Sequence, residues 1–424
     1  MTLPHNPEAA GALSPERKAA AGVLDSFARR AVLTKLQALR GGCLVIDDGG
    51  ERLRFGKVCD ELPDPVVIHV RDARMYGDVA VGGSVGAGES YMRGYWHTAQ
   101  LVDVIRLFVL NMDALEGLDG GTALLTEPLR RIVHVFRRNS RAGARRNIAA
   151  HYDLGNEFFR LLLDETMMYS AATFEHEGQS LHDAQVARLD LVCRKLDLKP
   201  TDHLLEIGSG WGGMALHAAR QFGCRVTTTT ISREQWKLTS ERVREAGLDD
   251  HIQVLCSDYR DLTGQFDKLV SIEMIEAIGH SYYDTYFAKC ANLLAPHGAM
   301  LLQSITIADQ RYERASRSVD FIKKYIFPGS CIPSVAALSQ SIARASDLRI
   351  FHLEDIGPHY ATTLAHWRQN FRANLPRIRA LGYDETFIRM WEYYLAYCEG
   401  GFAERAIGDA QLLLVKPGNR RAPL

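Results

Sequence analysis

The chain contains no C-x-x-C pair. Its eight cysteines stand singly along 424 residues, which leaves zinc-ribbon and thioredoxin-like sites without support. Dispersed thiols suit a reducing compartment, so a cytoplasmic location is expected. Long apolar runs are also missing. The most apolar stretch, LVDVIRLFVL, carries Asp103 and Arg106 and is too short to span a bilayer. The opening MTLPHNPEAAGALSPERK has no apolar core behind a basic head, so it does not read as a secretory signal. Net charge is scarce as well. A formal value of −1 gives the molecule no global field, so attraction to an anionic partner needs a local patch.

Such a patch is written in one place. Residues 128–152 include Arg130, Arg131, Arg137, Arg138, Arg141, Arg145 and Arg146 and no acid. The run reads either as a solvated face or as a site for anionic lipid headgroups. No nucleic-acid-binding signature accompanies it, so nucleic acid is not an expected partner.

The length favours two domains. Residues 1–20 are Ala-, Pro- and Glu-rich and read as disordered. Residues 21–127 combine a helix near Ala20–Leu39, short strands such as CLVIDDGG and VVIHV, a Gly-rich stretch and a helix near Ala99–Asn111. They predict a smaller N-terminal α/β domain. Residues 128–150 form an Arg-rich linker, and 151–424 form the larger domain. From about Arg188 onward, strands and helices alternate: DHLLEIG, MALHAARQF, CRVTTTTI, SREQWKLTSERVREAGL, IQVLCSD, FDKLVSIEM, YYDTYFAKCANLLAP and GAMLLQSITI. Repeated βα units predict an α/β fold with a parallel, doubly wound, Rossmann-like sheet.

Glu206-Ile-Gly208-Ser-Gly210-Trp-Gly212 falls between a strand and a helix. Glycines there permit a tight turn and close approach of backbone to ligand. Glu206 suits the amino-acid end of a cationic sulfonium ligand. A dinucleotide site would expect an acid about 20 residues further on, but the second strand ends in Thr227–Ser232 with none. S-adenosylmethionine is therefore favoured over NAD. Asp258, after the third strand, either borders an adenine pocket or caps the next turn.

Longer strings point further. HYDLGNEFF (151–159), DETMMYSAATF (164–174), LLEIGSGWGG (204–213), ISREQ (231–235), SIEMIEAIG (271–279), DFIKKYIFPG (320–329), GPHYATTLAHW (357–367) and YYLAYCEGGF (393–402) occur in this order. The chain resembles the family of cyclopropane-fatty-acyl-phospholipid synthases and mycolic acid methyltransferases. ESYMRGYW extends the resemblance into the N-terminal region, which implies a lipid-associated domain there, and EMIEA with LQSITI is similar to a branch that includes plant cyclopropane synthases and bacterial enzymes making methyl- or methylene-branched chains.

The resemblance implies that Tyr169, Ser170, Gly208, Gly210, Thr229, Thr230, Gln235 and Ile272 join Glu206, Gly212 and Asp258 around S-adenosylmethionine. It implies methyl transfer to a cis double bond of a phospholipid acyl chain, closing a cyclopropane ring. The alternatives are a methyl or methylene branch, or a catalytically inactive lipid-binding protein. A cationic intermediate would need aromatic neighbours, for which Tyr169, Phe174, Phe321, Tyr325, Phe327 and Tyr360 are candidates.

Family members hold bicarbonate as a base in a cage of Cys, Glu, His and Tyr. Here Glu276 and Tyr360 match, but Ala171 and Gln303 replace the Cys and His, which puts bicarbonate in doubt. Glu273 stands where glycine is common. The simplest arrangement makes Glu276 the proton acceptor, oriented by Tyr360 and Gln303, with Glu273 in reserve. Cys398 matches the cysteine traditionally labelled as active-site. No metal is expected. The expected partners are unsaturated phospholipids on the inner face of an anionic membrane, with homodimerisation left open.

Overall fold

The computed structural model describes residues 23–116 and 155–423. The expectations for residues 1–20, for the Arg-rich segment 128–150 and for the first residues of HYDLGNEFF lie outside that range.

The N-terminal unit is a four-stranded sheet with three longer helices and the short helix Met112–Glu116 among the described residues. Its strands are β1 (Gly42–Asp48), β2 (Glu51–Lys57), β3 (Val66–Val70) and β4 (Trp96–His97), in the order β2-β1-β3-β4. Its longer helices are α1 (Val23–Leu36), α2 (Arg74–Met92) and α3 (Leu101–Leu110). Sequence reading leaves the Gly-rich stretch of α2 without a helix, because glycine disfavours helix interiors by about 1 kcal/mol each. Packing overrides that preference. A Cβ on Gly88 would lie 2.5 Å from the Phe321 ring, and one on Gly86 would lie 1.9 Å from the Asp78 carbonyl oxygen. The helix kinks at Gly83, whose φ is +56°.

The larger unit carries seven strands: β5 (His203–Ile207), β6 (Arg225–Thr230), β7 (Ile252–Cys256), β8 (Phe266–Ile272), β9 (Leu294–Ile307), β10 (Arg349–Asp355) and β11 (Ile407–Val415). Their order is β10-β11-β9-β8-β5-β6-β7. β5 to β9 are parallel, as the alternating pattern predicts. β11 is antiparallel to β9 and β10 to β11, so the sheet is mixed along one edge. The run AQLLLV is buried on both faces, and its composition alone carries no strand direction.

Neighbouring strand residues point to opposite faces. Leu205, Leu269, Met300, Leu302 and Leu412 pack on one side, and Leu204, Val270, Leu301 and Leu413 on the other. Helices α4 (Leu181–Leu196), α5 (Gly213–Phe222), α6 (Arg233–Glu245), α7 (Tyr283–Leu293) and α8 (Val335–Ala345) cover these faces. Ser180 and Ser232 cap α4 and α6 by accepting N–H bonds from Asp183 and Gln235.

A third core joins the two units. It links α2 and α3 to α9 (Gly357–Ala373) and α10 (Glu385–Ala403) through Tyr91, Ile105, Phe158, Trp367 and Trp391. Polar bolts reinforce it. The Arg389 guanidinium lies 4.1 Å from the Tyr91 ring centroid and donates to the Trp96 carbonyl at 2.9 Å. Arg106 pairs with Glu404 at 2.6 Å. Truncating either fully buried tryptophan would cost about 3–5 kcal/mol.

Candidate active site

Strand order reverses between β5 and β8, since β6 and β7 lie to one side and β8 and β9 to the other. Open α/β sheets bind ligands at the carboxyl ends of the strands at such a point. A cavity of about 1380 Å³ opens there. That exceeds the ~300–1,000 Å³ of a pocket for one small ligand. Its polar end is the turn after β5. Its walls then become apolar and aromatic and run past Tyr360, Tyr394 and Phe402 to α1 and α2. Phe27 and Val81 also line it while remaining 75% and 55% exposed, so they mark its mouth.

Ten of the eleven residues expected around S-adenosylmethionine lie on the wall: Tyr169, Ser170, Glu206, Gly208, Gly210, Thr229, Thr230, Gln235, Asp258 and Ile272. Gly208 and Gly210 adopt φ of +98° and +50°. A Cβ on Gly210 would meet nothing within 4 Å and would project into open space, as expected of a glycine kept bare for a ligand. Gly212 is off the wall. Its Cβ would lie 2.8 Å from Thr239, and its φ is +86°, so this glycine serves close packing of α6 instead. Thr228 donates to Glu206 at 2.5 Å, and burial pushes the Glu206 carboxyl up to about 8. Thr230 donates to Gln235 at 2.8 Å. Asp258 lines the cavity and accepts from Arg260 N at 3.0 Å, which caps the turn after β7.

The carboxylates after β8 are arranged differently from expectation. Tyr360 and Gln303 do not orient Glu276. The Tyr360 hydroxyl donates to Glu273 Oε2 at 2.6 Å, Gln303 Nε2 donates to Glu273 Oε1 at 2.8 Å, and the Ala171 N–H donates to the same oxygen at 2.9 Å. The cause is the backbone of Glu273. Its φ of +48° lies in the left-handed region, where glycine is the easy choice, and its N–H donates to the Gln303 carbonyl at 2.8 Å. Glu276 instead accepts from Ser304 Oγ at 2.9 Å and Ile305 N at 2.6 Å. Burial and the neighbouring Glu273 charge push its carboxyl up to about 8.

Glu273 and Glu276 both line the cavity, whereas Gln303 sits behind it, fully buried. Gln303 also donates to Asp409 Oδ2 at 3.1 Å. Burial, then the charges of Glu273 and Glu276, hold the Asp409 carboxyl well above its usual range. The nearby cation is Arg188, also fully buried, which donates to Ser170 Oγ and Gln185 Oε1 at 2.9 Å each. Burial lowers its pKa while Glu273 and Asp409 raise it. Sequence reading passed over Arg188 and Asp409, though each left a signal. Arg188 falls on the apolar face of α4 with Ala184 and Val192, and Asp409 lies within the buried, otherwise apolar strand β11.

Cys398 lines the apolar wall, and burial pushes its thiol far above the usual range, so it stays protonated. Of the six aromatic candidates, Tyr169, Phe327 and Tyr360 face the cavity. Tyr360 stacks on Phe402 at 4.4 Å. Phe174 packs on His366, and Phe321 supports α2. Among the described residues, Asp164, Glu165 and His182 could hold a metal ion, but none of them lines the cavity.

This geometry has known counterparts. The family described as mycolic acid cyclopropane synthetase matches residues 139–412. The chain is 38% identical over 347 residues to a tuberculostearic acid methyltransferase of Mycobacterium tuberculosis, covering 79% of this chain and 80% of that protein. It is 39% identical over 346 residues to the cyclopropane-fatty-acyl-phospholipid synthase of Escherichia coli K12, covering 81% and 86%. The crystal structure of a mycolic acid cyclopropane synthase complexed with SAH and CTAB superposes with a TM-score of 0.60 at 33% identity, covering 64% of this chain and 98% of that one. The chain belongs to the mycolic acid cyclopropane synthetase family. It is an S-adenosylmethionine-dependent methyltransferase of lipid metabolism.

Proposed function

We propose that the protein methylates the cis double bond of an unsaturated phospholipid acyl chain and closes a cyclopropane ring. The observation that carries this reading is one cavity with a polar glycine-turn end and a long aromatic-lined arm. S-adenosylmethionine supplies an electrophilic methyl, and Tyr169, Ser170, Glu206, Gly208, Gly210, Thr229, Thr230, Gln235, Asp258 and Ile272 would hold it at the polar end. The aromatic arm positions the alkene against that methyl and keeps water out, so that a cationic chain is not captured as an alcohol. Tyr360, with its ring stacked on Phe402, faces the place where positive charge would develop.

The N-terminal unit, residues 21–127, is the lipid-associated part in this reading. Phe27 and Val81 at the mouth give an acyl chain an apolar way in. No helix among the described residues is long and apolar enough to cross a membrane. In this reading the protein works at a membrane surface, with the Arg130–Arg146 segment adding attraction to anionic lipid. Exposed charges are screened over ~8 Å at physiological ionic strength. Sedimentation with anionic vesicles should weaken in salt, and changing Arg137, Arg138, Arg141, Arg145 and Arg146 to Gln should weaken it further; unchanged binding removes the segment from the account.

A methyl or methylene branch is the second reading. It is favoured by the altered surroundings of Ala171 and Gln303 and by likeness to a tuberculostearic acid methyltransferase. Mass spectrometry of products from defined unsaturated phospholipids tests both. A cyclopropane supports the first, and a branch alone replaces it with the second.

A further inference from the structure

The reaction proposed above ends with loss of a proton, so the site needs an acceptor that touches the substrate. Three donors converge on Glu273 at 2.6, 2.8 and 2.9 Å, from Tyr360, Gln303 and Ala171. These are three of the positions at which family resemblance places the cage for bicarbonate. In this chain the donors are already taken by a side chain. A bicarbonate ion added here would find them used and would lie against a second anion, which is costly in a buried site. Bicarbonate therefore does not fit, and the chain brings its own carboxylate to the same donors. The left-handed backbone at Glu273, φ +48°, is what turns the side chain into this position.

We propose that Glu273 is the general base of the reaction, a resident carboxylate in place of a bound bicarbonate. This rests on the acyl-chain reading of the site. A carboxylate offers about four acceptor positions. Two donors occupy Oε1 and one occupies Oε2, which leaves one position on Oε2, beside Tyr360 on the cavity wall. The residue is half-buried, and it lines the cavity wall. In the step itself, the alkene electron pair forms a carbon–carbon bond to the sulfonium methyl as its carbon–sulfur bond breaks. The chain is left cationic at the neighbouring carbon. A C–H bond of the new methyl then breaks, its electron pair closes the ring, and the proton goes to Glu273 Oε2.

The surroundings suit this role. Arg188 on α4 offsets the charge, and Tyr360 on α9 and the Ala171 N–H stabilise it. Glu276 and Asp409 are the acids nearby, and both are pushed toward the neutral form. Glu276 has two donors, Ser304 and Ile305, both on Oε1, against three on Glu273, and burial with the Glu273 charge raises its pKa. Burial also raises Glu273, which makes it a stronger base near neutrality.

The test uses the full chain with unsaturated phospholipid vesicles, with S-adenosylhomocysteine binding followed by calorimetry. Wild type is expected to turn over equally in carbon-dioxide-stripped and bicarbonate-supplemented buffer. Glu273→Gln is expected to bind S-adenosylhomocysteine normally and to lose turnover by about 100-fold or more. Glu273→Gly suits the backbone and vacates the donors, so its turnover is expected to depend on added bicarbonate. If Glu273→Gln does not fold, the Gly variant decides, and bicarbonate-independent turnover at the wild-type rate overturns the proposal. A wild-type rate that climbs with bicarbonate, or an undiminished Glu273→Gln, overturns the base and leaves the lipid reading standing. A wild type that methylates no unsaturated phospholipid overturns both.

Discussion

The Gln303 side-chain amide donates to Glu273 at 2.8 Å from the strand beside it, and the same nitrogen reaches Asp409 at 3.1 Å. A neutral amide thus stands between a half-buried acid and a fully buried one, where a histidine would bring a titratable charge. Gln411 fixes the amide orientation by donating to Gln303 Oε1 at 3.0 Å. The amide holds Glu273 in place without competing for its proton.

Removing the donor opposite Gln303 should be visible in a pH profile. Tyr360→Phe deletes a 2.6 Å hydrogen bond that favours the charged form of Glu273. Hydrogen bonds to charged groups contribute about 1.5–3 kcal/mol, which corresponds to roughly one to two pH units. The acid limb of the kcat profile is expected to move to higher pH by about that amount. An unmoved limb would detach Tyr360 from the base.

Gly210→Val is expected to abolish S-adenosylhomocysteine binding by calorimetry while the circular dichroism spectrum stays folded. The added side chain projects into open cavity, so it meets the ligand and not the protein. Its φ of +50° adds strain of about 1–2 kcal/mol. Wild-type affinity in the folded variant would remove the glycine turn from the cofactor site.

Buried acids set how stability depends on pH. Glu206 and Glu276 are raised from 4.5 to about 8 in the fold. Between these values the folded chain holds protons that the unfolded chain releases, so these groups make stability fall as pH rises. The limiting slope is about 1.4 kcal/mol per pH unit for each group. The melting temperature of the ligand-free protein is expected to drop across this range, and Glu276→Gln should flatten the fall. A melting temperature that rises from pH 4.5 to 8 would contradict the burial of these acids.

Cys398→Ser is expected to leave turnover near wild type and to cost about 1 kcal/mol of stability, because a hydroxyl replaces a half-buried thiol on the apolar cavity wall. A thiol held protonated has no part in accepting the methyl or the proton. Loss of activity in a folded Cys398→Ser protein would restore it to the mechanism.

Much of the larger unit was legible because its strands and helices obey simple periods. DHLLEIG, CRVTTTTI and IQVLCSD all form parallel strands, and Glu206 with its glycines lies where a strand–turn–helix pattern puts them. The helix α2 was not legible, since its five glycines argue against a helix until Phe321 and Tyr393 are seen packed against Gly88. Nor was the antiparallel edge, because burial of β11 on both faces hides its direction. At the site, Glu273 and Glu276 differ by one helical turn at most in sequence. Only the tertiary approach of Tyr360, 87 residues away, decides which of them it binds.

The cavity draws one wall from Phe27 and Val81 and the other from Tyr394, Cys398 and Phe402 on the helix that begins at Glu385. Its completion is therefore a late event in biosynthesis. A nascent chain still lacking that helix carries the residues of the glycine turn and the parallel strands but not those that complete the cavity wall. In chain order, the residues of the glycine turn come first and those of the closing helix come last.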